Sequence, residues 1–461
     1  MQPEADRLKR CLEEIVGREH VHAGPACPRD ADRPAAAGFA VDGVSPALLV
    51  HPASQEQVSS VVAACAETGV AIIPWGGGTA MGTGNRPARA DVALILDRLN
   101  RIVEFDATNL NVTVEAGMRL ADLQAELATQ RQCLPLDPPA EEKATVGGIL
   151  AANKSGPCRL LYGTARDWVL GMRVALPSGE RIRCGGKVIK NVSGYDMNKL
   201  FIGSLGTLGI ITEATFKLLP LPAVRRSIAG VFAELSQAAG VVTKVLDSVL
   251  LPEAMELLDP DAAALLGSTL HLDATGYGLA VSFAGSRETV ERQVQDFTGL
   301  FHEAHAQATA TLLDERTAPA WKTVRNVFDL LPGPPPERIT CKIAVPISRT
   351  AELLAAAERL GRSHGLRAAV TAHAGSGVVR ACYLLGPEAP PAEVLAGAIE
   401  ELRRESEKAE GSLVLQAAPA SLKAHLDAWG KPGGAFAVMR RLKADFDPQG
   451  LCNPGRFLGG I

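Results

Sequence analysis

The stretch IPWGGGTAMG, residues 73–82, places four glycines in ten positions, and it follows an apolar run. Glycine loses more backbone freedom on folding than any other residue, so such a run weakens regular structure unless main chain must come close to something. Gly76, Gly77 and Gly78 follow VAIIPW, and Thr79 adds a hydroxyl and an amide. Consecutive free N–H groups of this kind form a nest that accepts phosphate oxygens, although a plain tight turn satisfies the same pattern. Two nucleotide motifs are excluded. A GxGxxG run begun at Gly76 needs glycine where Met81 stands, and a Walker A pattern ending at Gly186 and Lys187 needs glycine at Arg181 and Ser or Thr at Val188.

Glycine density recurs in ATVGGILAANKSGPCRLLYGTARD (144–167) and in GGKVIKNVSGYDMNKLFIGSLGTLGIITEATF (185–216), where Gly203, Gly206 and Gly209 fall at a three-residue spacing. This much glycine costs backbone entropy unless main chain lies flat against a large ligand. A flavin dinucleotide is such a ligand, with a pyrophosphate for amides to bind and a broad ring for backbone to line.

The rest of the chain bounds the answer. At 461 residues it exceeds one typical domain, and a formal charge of −4 gives no reason to expect nucleic acid or an anionic membrane as partner. No apolar run approaches the roughly 18 residues needed to span a bilayer, and the N-terminus MQPEADRLKRCLEEIVG has no apolar signal core. The expected location is cytoplasmic, with peripheral association at the inner membrane through partners. Nine cysteines form no CxxC and stand at no zinc-finger spacing from histidine, so a cluster or zinc site in this chain is not expected.

Residues 49–75 read as strand, helix and strand, the helix buried through Val58, Val61, Val62 and Cys65. VALILDRL and NVTVEAGM read as a second strand pair, and 119–134 as a helix with Leu120, Leu123 and Leu127 on one face. Residues 168–184 read as a hairpin turning at Pro177, Ser178 and Gly179. Pro220 and Pro222 mark the best domain boundary. Beyond it, amphipathic segments alternate with strands such as YGLAVSFAG (277–285) and ITCKIAVPI (339–347), interrupted by the proline-rich LPGPPPER (331–338).

These glycine segments resemble the FAD domain of the vanillyl-alcohol-oxidase (PCMH) type of flavoproteins, more narrowly the 2-hydroxy-acid dehydrogenases of that group. The likeness covers roughly residues 45–220, and NPGRF near the end corresponds to the closing segment of the family. It implies an α+β fold: a helical extension (1–44), a two-subdomain FAD-binding domain (45–222), a cap of antiparallel sheet and helices (223–420), and a segment returning to the FAD domain (421–461). Carried over, the resemblance places Pro74, Gly76, Gly77, Gly78, Thr79 and Gly82 at the FAD pyrophosphate and Pro138 near the flavin. Thr145, Gly147, Gly148, Ser155 and Gly156 would line pyrophosphate and ring, Tyr162, Gly163 and Thr164 would follow, and Gly206, Gly209 and Ile211 would face the adenosine. Thr79 stands where several relatives attach flavin through histidine, which implies non-covalent FAD.

Oxidising a 2-hydroxy acid needs a cation for the carboxylate and a base for the hydroxyl proton. The dehydrogenases of this family carry a cap pattern like H-x-G-D-G-N-x-H whose histidines help bind a divalent metal. Here AHAGSGVVR keeps His373 but has Ser376, Val378 and Arg380 at the other positions. No metal site is therefore expected; His373 reads as a packed or hydrogen-bonded remnant, and Arg380 either as a solvated arginine or as a cation for the substrate carboxylate, both being candidate catalytic residues. Arg325, Lys342 and Asn453 are further candidates to face the flavin, Lys342 reading equally as a snorkelling lysine on an edge strand. The eroded motif, with GGKVIKNVSGYDMNKL and APASLKAHLDAWG, is most similar to the second and smaller of the two FAD-binding subunits of bacterial glycolate oxidase. That implies a sister flavoprotein subunit and an iron–sulfur subunit as partners, a small 2-hydroxy acid as the substrate of the complex, and a flavin that accepts or relays electrons. The alternative is a self-sufficient D-2-hydroxy-acid dehydrogenase that uses Arg380, Lys342 or Arg325 in place of the metal.

Overall fold

The computed structural model describes residues 2–23, 36–187, 194–332 and 337–461. The segment 188–193, which carries part of the likeness to the smaller glycolate oxidase flavoprotein, and the prolines of 333–336 lie outside the described residues. Two small sheets and one large one organise the chain. The first contains β1 (Val21–Ala23), β2 (Leu48–Val50), β3 (Ile72–Trp75) and β4 (Val92–Ile95), in the order β1-β2-β4-β3, with β4 parallel to both β2 and β3. The helix Gln55–Glu67 joins β2 to β3. Ser54 caps it by accepting from the Gln57 amide, and it buries the expected Val58, Val61, Val62 and Cys65. The N-terminal helix Gln2–Val16 adds Leu8, Leu12 and Val16 to the same core.

The second sheet is antiparallel. It uses β5 (Ile102–Asp106), β6 (Asn111–Glu115), β8 (Val169–Ala175), β9 (Arg181–Gly185) and β10 (Ile210–Lys217) in the order β5-β6-β10-β8-β9, while β7 (Gln132–Cys133) pairs with β11 (Leu219–Pro220). The hairpin of β8 and β9 turns where expected, with Gly179 at φ 85. The expected pairing of VALILDRL with NVTVEAGM does not form. The fully buried β4 has parallel partners on both sides, and β6, which holds NVTVE, pairs instead with β5 and β10.

The third sheet starts at β12 (Val224–Phe232), just beyond Pro222, and continues with β13 (Ala254–Leu258), β14 (Tyr277–Gly285), β15 (Ala308–Leu313), β16 (Arg338–Ala344), β17 (Ala368–His373), β18 (Val378–Leu384) and β19 (Ser412–Ala417). Its order is β15-β12-β14-β13-β17-β18-β16-β19. Alternation along β16 and β18 sorts the two faces. Ile339, Cys341, Ile343, Val379, Ala381 and Tyr383 are buried in one core with Leu353, Leu354 and Ala357 of the helix Thr350–Ser363 and Ile399 and Leu402 of Ala392–Lys408. The opposite face at this end carries Lys342 and Arg380 toward the first two sheets.

The C-terminal segment then crosses back. Ile72 pairs in parallel with Cys452, the Ile72 amide donates to Leu451 (2.8 Å), and the Asn453 amide donates to Ile72 (2.8 Å). In the helix Phe436–Phe446, buried Lys443 donates to the carboxylate of Asp447 (2.6 Å) and to the carbonyls of Thr207 (2.7 Å) and Cys452 (3.1 Å). Asp447 also accepts from the amides of Leu451 (3.0 Å) and Cys452 (2.8 Å). Removing one partner of a buried pair strands the other charge, so Lys443→Met is expected to lower unfolding stability by about 3–5 kcal/mol. Urea unfolding of the purified variant checks this, and a loss under about 1 kcal/mol would show that the pair is solvated.

Candidate functional site: a glycine-walled cleft and a cationic cavity

Three glycine segments meet at one cleft. From the end of β3 and the following turn come Pro74, Gly76, Gly77, Gly78 and Thr79; from the helix Val146–Ala152 and its cap come Thr145, Gly147 and Gly148; Gly206, Gly209 and Ile211 close the opposite wall. Asn453 and Arg456 reach the same cleft from the C-terminal segment. The absence of side chains is structural at several of these positions. A Cβ on Gly77 would overlap the carbonyl of Lys143, and one on Gly76 would overlap Oγ1 of Thr145. A Cβ on Gly206, whose φ is +70, would come within 2.6 Å of Pro74 Cγ. Thr145 caps its helix by accepting from the Gly148 amide (3.3 Å).

Arg456 ties the lip of the cleft together, donating to the carbonyls of Met81 (2.6 Å), Thr83 (2.7 Å) and Asn85 (3.0 Å). Burial pulls its guanidinium down to about 10 against the opposing pull of Asp42. Asn453, at φ 47, donates to Leu205 (2.6 Å). Yet Asn453 Oδ1 and Arg456 Nε are buried without protein partners, and in native folds such polar atoms are nearly always satisfied. A cleft walled by backbone, with these two atoms in its lining, fits a long ligand rich in hydrogen-bonding groups.

Other residues suggested by the resemblance lie outside this lining. A Cβ on Gly82 would come within 3.1 Å of the Gln416 carbonyl, and the Gly82 carbonyl accepts from Lys423 (2.7 Å). Gly156 packs on the backbone of Asp137. Tyr162 reaches Glu253 (3.4 Å) and accepts from the Trp168 indole at its carbonyl (2.6 Å). Thr164 forms a capping box with Asp167 and Gly163 is the positive-φ residue before it, so helix geometry explains both.

A second cavity, of about 200 Å³, shares Thr79 and Gly148 with the cleft and brings Pro138 together with Arg325 and Arg380. Beside it lies a space of about 40 Å³ lined by Ser155, Lys342 and His373, and Lys154, Arg380 and Gln416 border both. Lys342 of β16 lies directly opposite Arg380 of β18, which lies opposite Thr371 of β17. Directly opposed like charges destabilise a sheet. Among the described residues neither cation, nor Lys154, has a carboxylate within ion-pair distance. Arg380 instead stacks on the Phe328 ring (4.8 Å) and donates to the Arg325 carbonyl (3.3 Å), while Arg325 pairs with Glu141. Burial, then the repulsion of Arg380 and Lys342, lowers Lys154 to about 7. Burial, then Arg159 and Arg380, lowers Lys342 to about 8.

Two expectations are corrected here. Arg380 is half-buried and not a freely solvated arginine, because its strand turns it into this cavity. Lys342 is not on an edge strand, because β16 lies between β18 and β19. His373 is buried and bonded through Nδ1 to Glu256, its partner across β13 and β17. Sequence reasoning does not single out Lys154, Arg159 or Arg456. Lys154 is visible as a lone charge in the small-residue run LAANKSG, and Arg456 stands inside NPGRF.

With this geometry in view, the comparisons are consistent. Residues 46–185 match the model of the FAD binding domain, and residues 221–457, more than half the chain, match that of the FAD linked oxidases, C-terminal domain. The chain belongs to the FAD-linked oxidase family and is an FAD-binding oxidoreductase. It is 29% identical over 417 residues to glycolate oxidase subunit GlcD of Bacillus subtilis, covering 89% of this chain and 88% of that one. It is 31% identical over 346 residues to D-lactate dehydrogenase of Anaerostipes hadrus, covering 72% of each. The glycolate oxidase relatives found carry the GlcD name, where the eroded metal motif points to the smaller flavoprotein of that complex. In fold the chain resembles substrate-bound p-cresol methylhydroxylase, with a TM-score of 0.77, 17% identity and coverage of 99% of this chain and 97% of that one. No helix among the described residues is long and apolar enough to cross a membrane.

Two outcomes are expected. Gly77→Ala, which must displace the Lys143 carbonyl, should yield protein that is purified without yellow colour, checked by the flavin-to-protein absorbance ratio. Anions in the cavity should bind more weakly as pH rises through about 8, because a lysine with a depressed pKa is cationic below it and neutral above it. The charged groups around Lys342 and Arg380 are Arg159, Lys154, Glu256, Asp329 and Asp137. An oxalate titration followed in the flavin spectrum from pH 6 to 9 checks the sign.

Proposed function

We propose that this chain is an FAD-dependent 2-hydroxy-acid dehydrogenase that holds its substrate in its own cavity. The observation carrying this reading is the set Lys154, Lys342 and Arg380, none of them in an ion pair among the described residues, beside the glycine-walled cleft. A cavity lined with half-buried cations that no carboxylate pairs at ion-pair distance is suited to a carboxylate ligand. Gly76, Gly77, Gly78, Thr79, Thr145, Gly147, Gly148, Gly206, Gly209 and Ile211 would hold non-covalent FAD, with Asn453 Oδ1 and Arg456 Nε gaining partners from it. Bound FAD supplies the acceptor for the hydrogen and electron pair leaving C2 of the hydroxy acid. Lys342 and Arg380 bind the carboxylate and orient C2. Lys154, bordering both spaces and poised near neutrality, accepts the hydroxyl proton at Nζ. Relatives named as D-lactate dehydrogenases favour this reading.

Relatives named as subunits of glycolate oxidase favour a second reading, in which the chain works with a sister flavoprotein subunit and an iron–sulfur subunit. One experiment separates the two. Anaerobic addition of glycolate or D-lactate to the lone, FAD-loaded chain should bleach the flavin band, and Lys154→Met should slow bleaching by about 10²–10⁴ with FAD content unchanged. Bleaching that requires the other subunits would establish the second reading.

A further inference from the structure

The sequence pattern that in related dehydrogenases binds a divalent metal is rebuilt here, and the residues present do not fit a metal. Beyond His373 the positions hold Ser376, Val378 and Arg380. His373 gives Nδ1 to Glu256 within a buried pair. Among the described residues no group of three or more His, Cys, Asp or Glu side chains stands close enough to hold a metal ion. A guanidinium at a ligand position offers five donors and no acceptor, so it repels a metal ion and attracts the anion a metal would have held.

We propose that Arg380 and Lys342 form a fixed, metal-free anion site that takes the carboxylate directly. The register places the two side chains opposite each other on one face, with the buried, unpartnered Thr371 hydroxyl opposite Arg380 on the next strand. The two cations that line the cavity offer a guanidinium fork and an ammonium to two carboxylate oxygens. The stacking of Arg380 on Phe328 and its bond to the Arg325 carbonyl hold the fork before any ligand arrives, which lowers the ordering cost of binding. Pairing an anion with two opposed cations also removes the repulsion between them. The proposal deepens the dehydrogenase reading and rests on it for the identity of the ligand, but an anion site can be detected without turnover.

The test uses the full chain as purified with FAD. Metal content is measured before and after EDTA treatment and dialysis, and oxalate, a non-oxidisable dicarboxylate, is titrated against the flavin absorbance. The expected result is substoichiometric metal throughout and the same oxalate affinity before and after EDTA. Lys342→Met and Arg380→Met should each weaken oxalate by about tenfold or more while keeping the flavin bound. If either variant loses flavin, Lys342→Gln replaces it in the same titration. Loss of oxalate binding on EDTA treatment with recovery on adding one divalent ion would overturn the proposal. Unchanged oxalate affinity in these variants, or no oxalate binding at all, would do the same. Metal-independent oxalate binding with no bleaching by any 2-hydroxy acid would sink the dehydrogenase reading and leave this site standing.

Discussion

Close backbone contact between the turn after β3 and residues 143–145 is the constraint on which the site depends. Gly77 lies against the Lys143 carbonyl and Gly76 against the Thr145 hydroxyl, so the two segments meet without any side chain between them. That contact brings the β3 turn, the cap of the helix Val146–Ala152 and the wall around Gly206 onto one cleft. The glycines thus serve the protein's own packing as much as they leave room for a cofactor. Their entropic cost is met by the density of main chain they let converge.

The cavity next to the cleft follows a different economy. A folded protein ordinarily pairs the charges it draws away from bulk solvent, and here the pairing is uneven. Arg325 has Glu141, Arg225 has Glu253 and Lys423 has Asp42, whereas Lys154, Lys342 and Arg380 face one another. Sheet register enforces the arrangement, since Arg380 and Lys342 cannot leave the polar face without exchanging places with Val379 and Ile343 in the core. Such residual repulsion destabilises the empty site and favours whatever anion relieves it.

Much of this was legible in the sequence, for reasons that differ by element. A short run of apolar and small residues made β14 readable, alternation runs along β16, and helical periodicity with a Ser cap made Gln55–Glu67 readable. The glycine segments announced the cleft because few other ligands call for so much bare main chain. What stayed hidden was relational. Lys342 stood out as a charge among apolar neighbours, but nothing in its surroundings revealed that a strand nearly forty positions away would set Arg380 opposite it. Lys154 was masked by the small residues around it, and at Gly163 and Thr164 a capping box with Asp167 gives the sequence pattern a local structural role as well. The mistaken pairing of β4 with β6 came from assuming that neighbours in sequence are neighbours in a sheet.

The return of the C-terminal segment has a consequence for how the molecule is made. Asn453, Arg456 and the bridge from Ile72 to Cys452 complete a cleft whose other walls come from residues 74–211. On the ribosome, those walls emerge first and must wait while the entire eight-stranded unit is synthesised between them and their closing piece. Contacts of such long sequence separation form late and pay loop-closure entropy first. Cofactor capture is therefore coupled to completion of the second unit, and the flavin becomes a reporter of whether both halves have folded together.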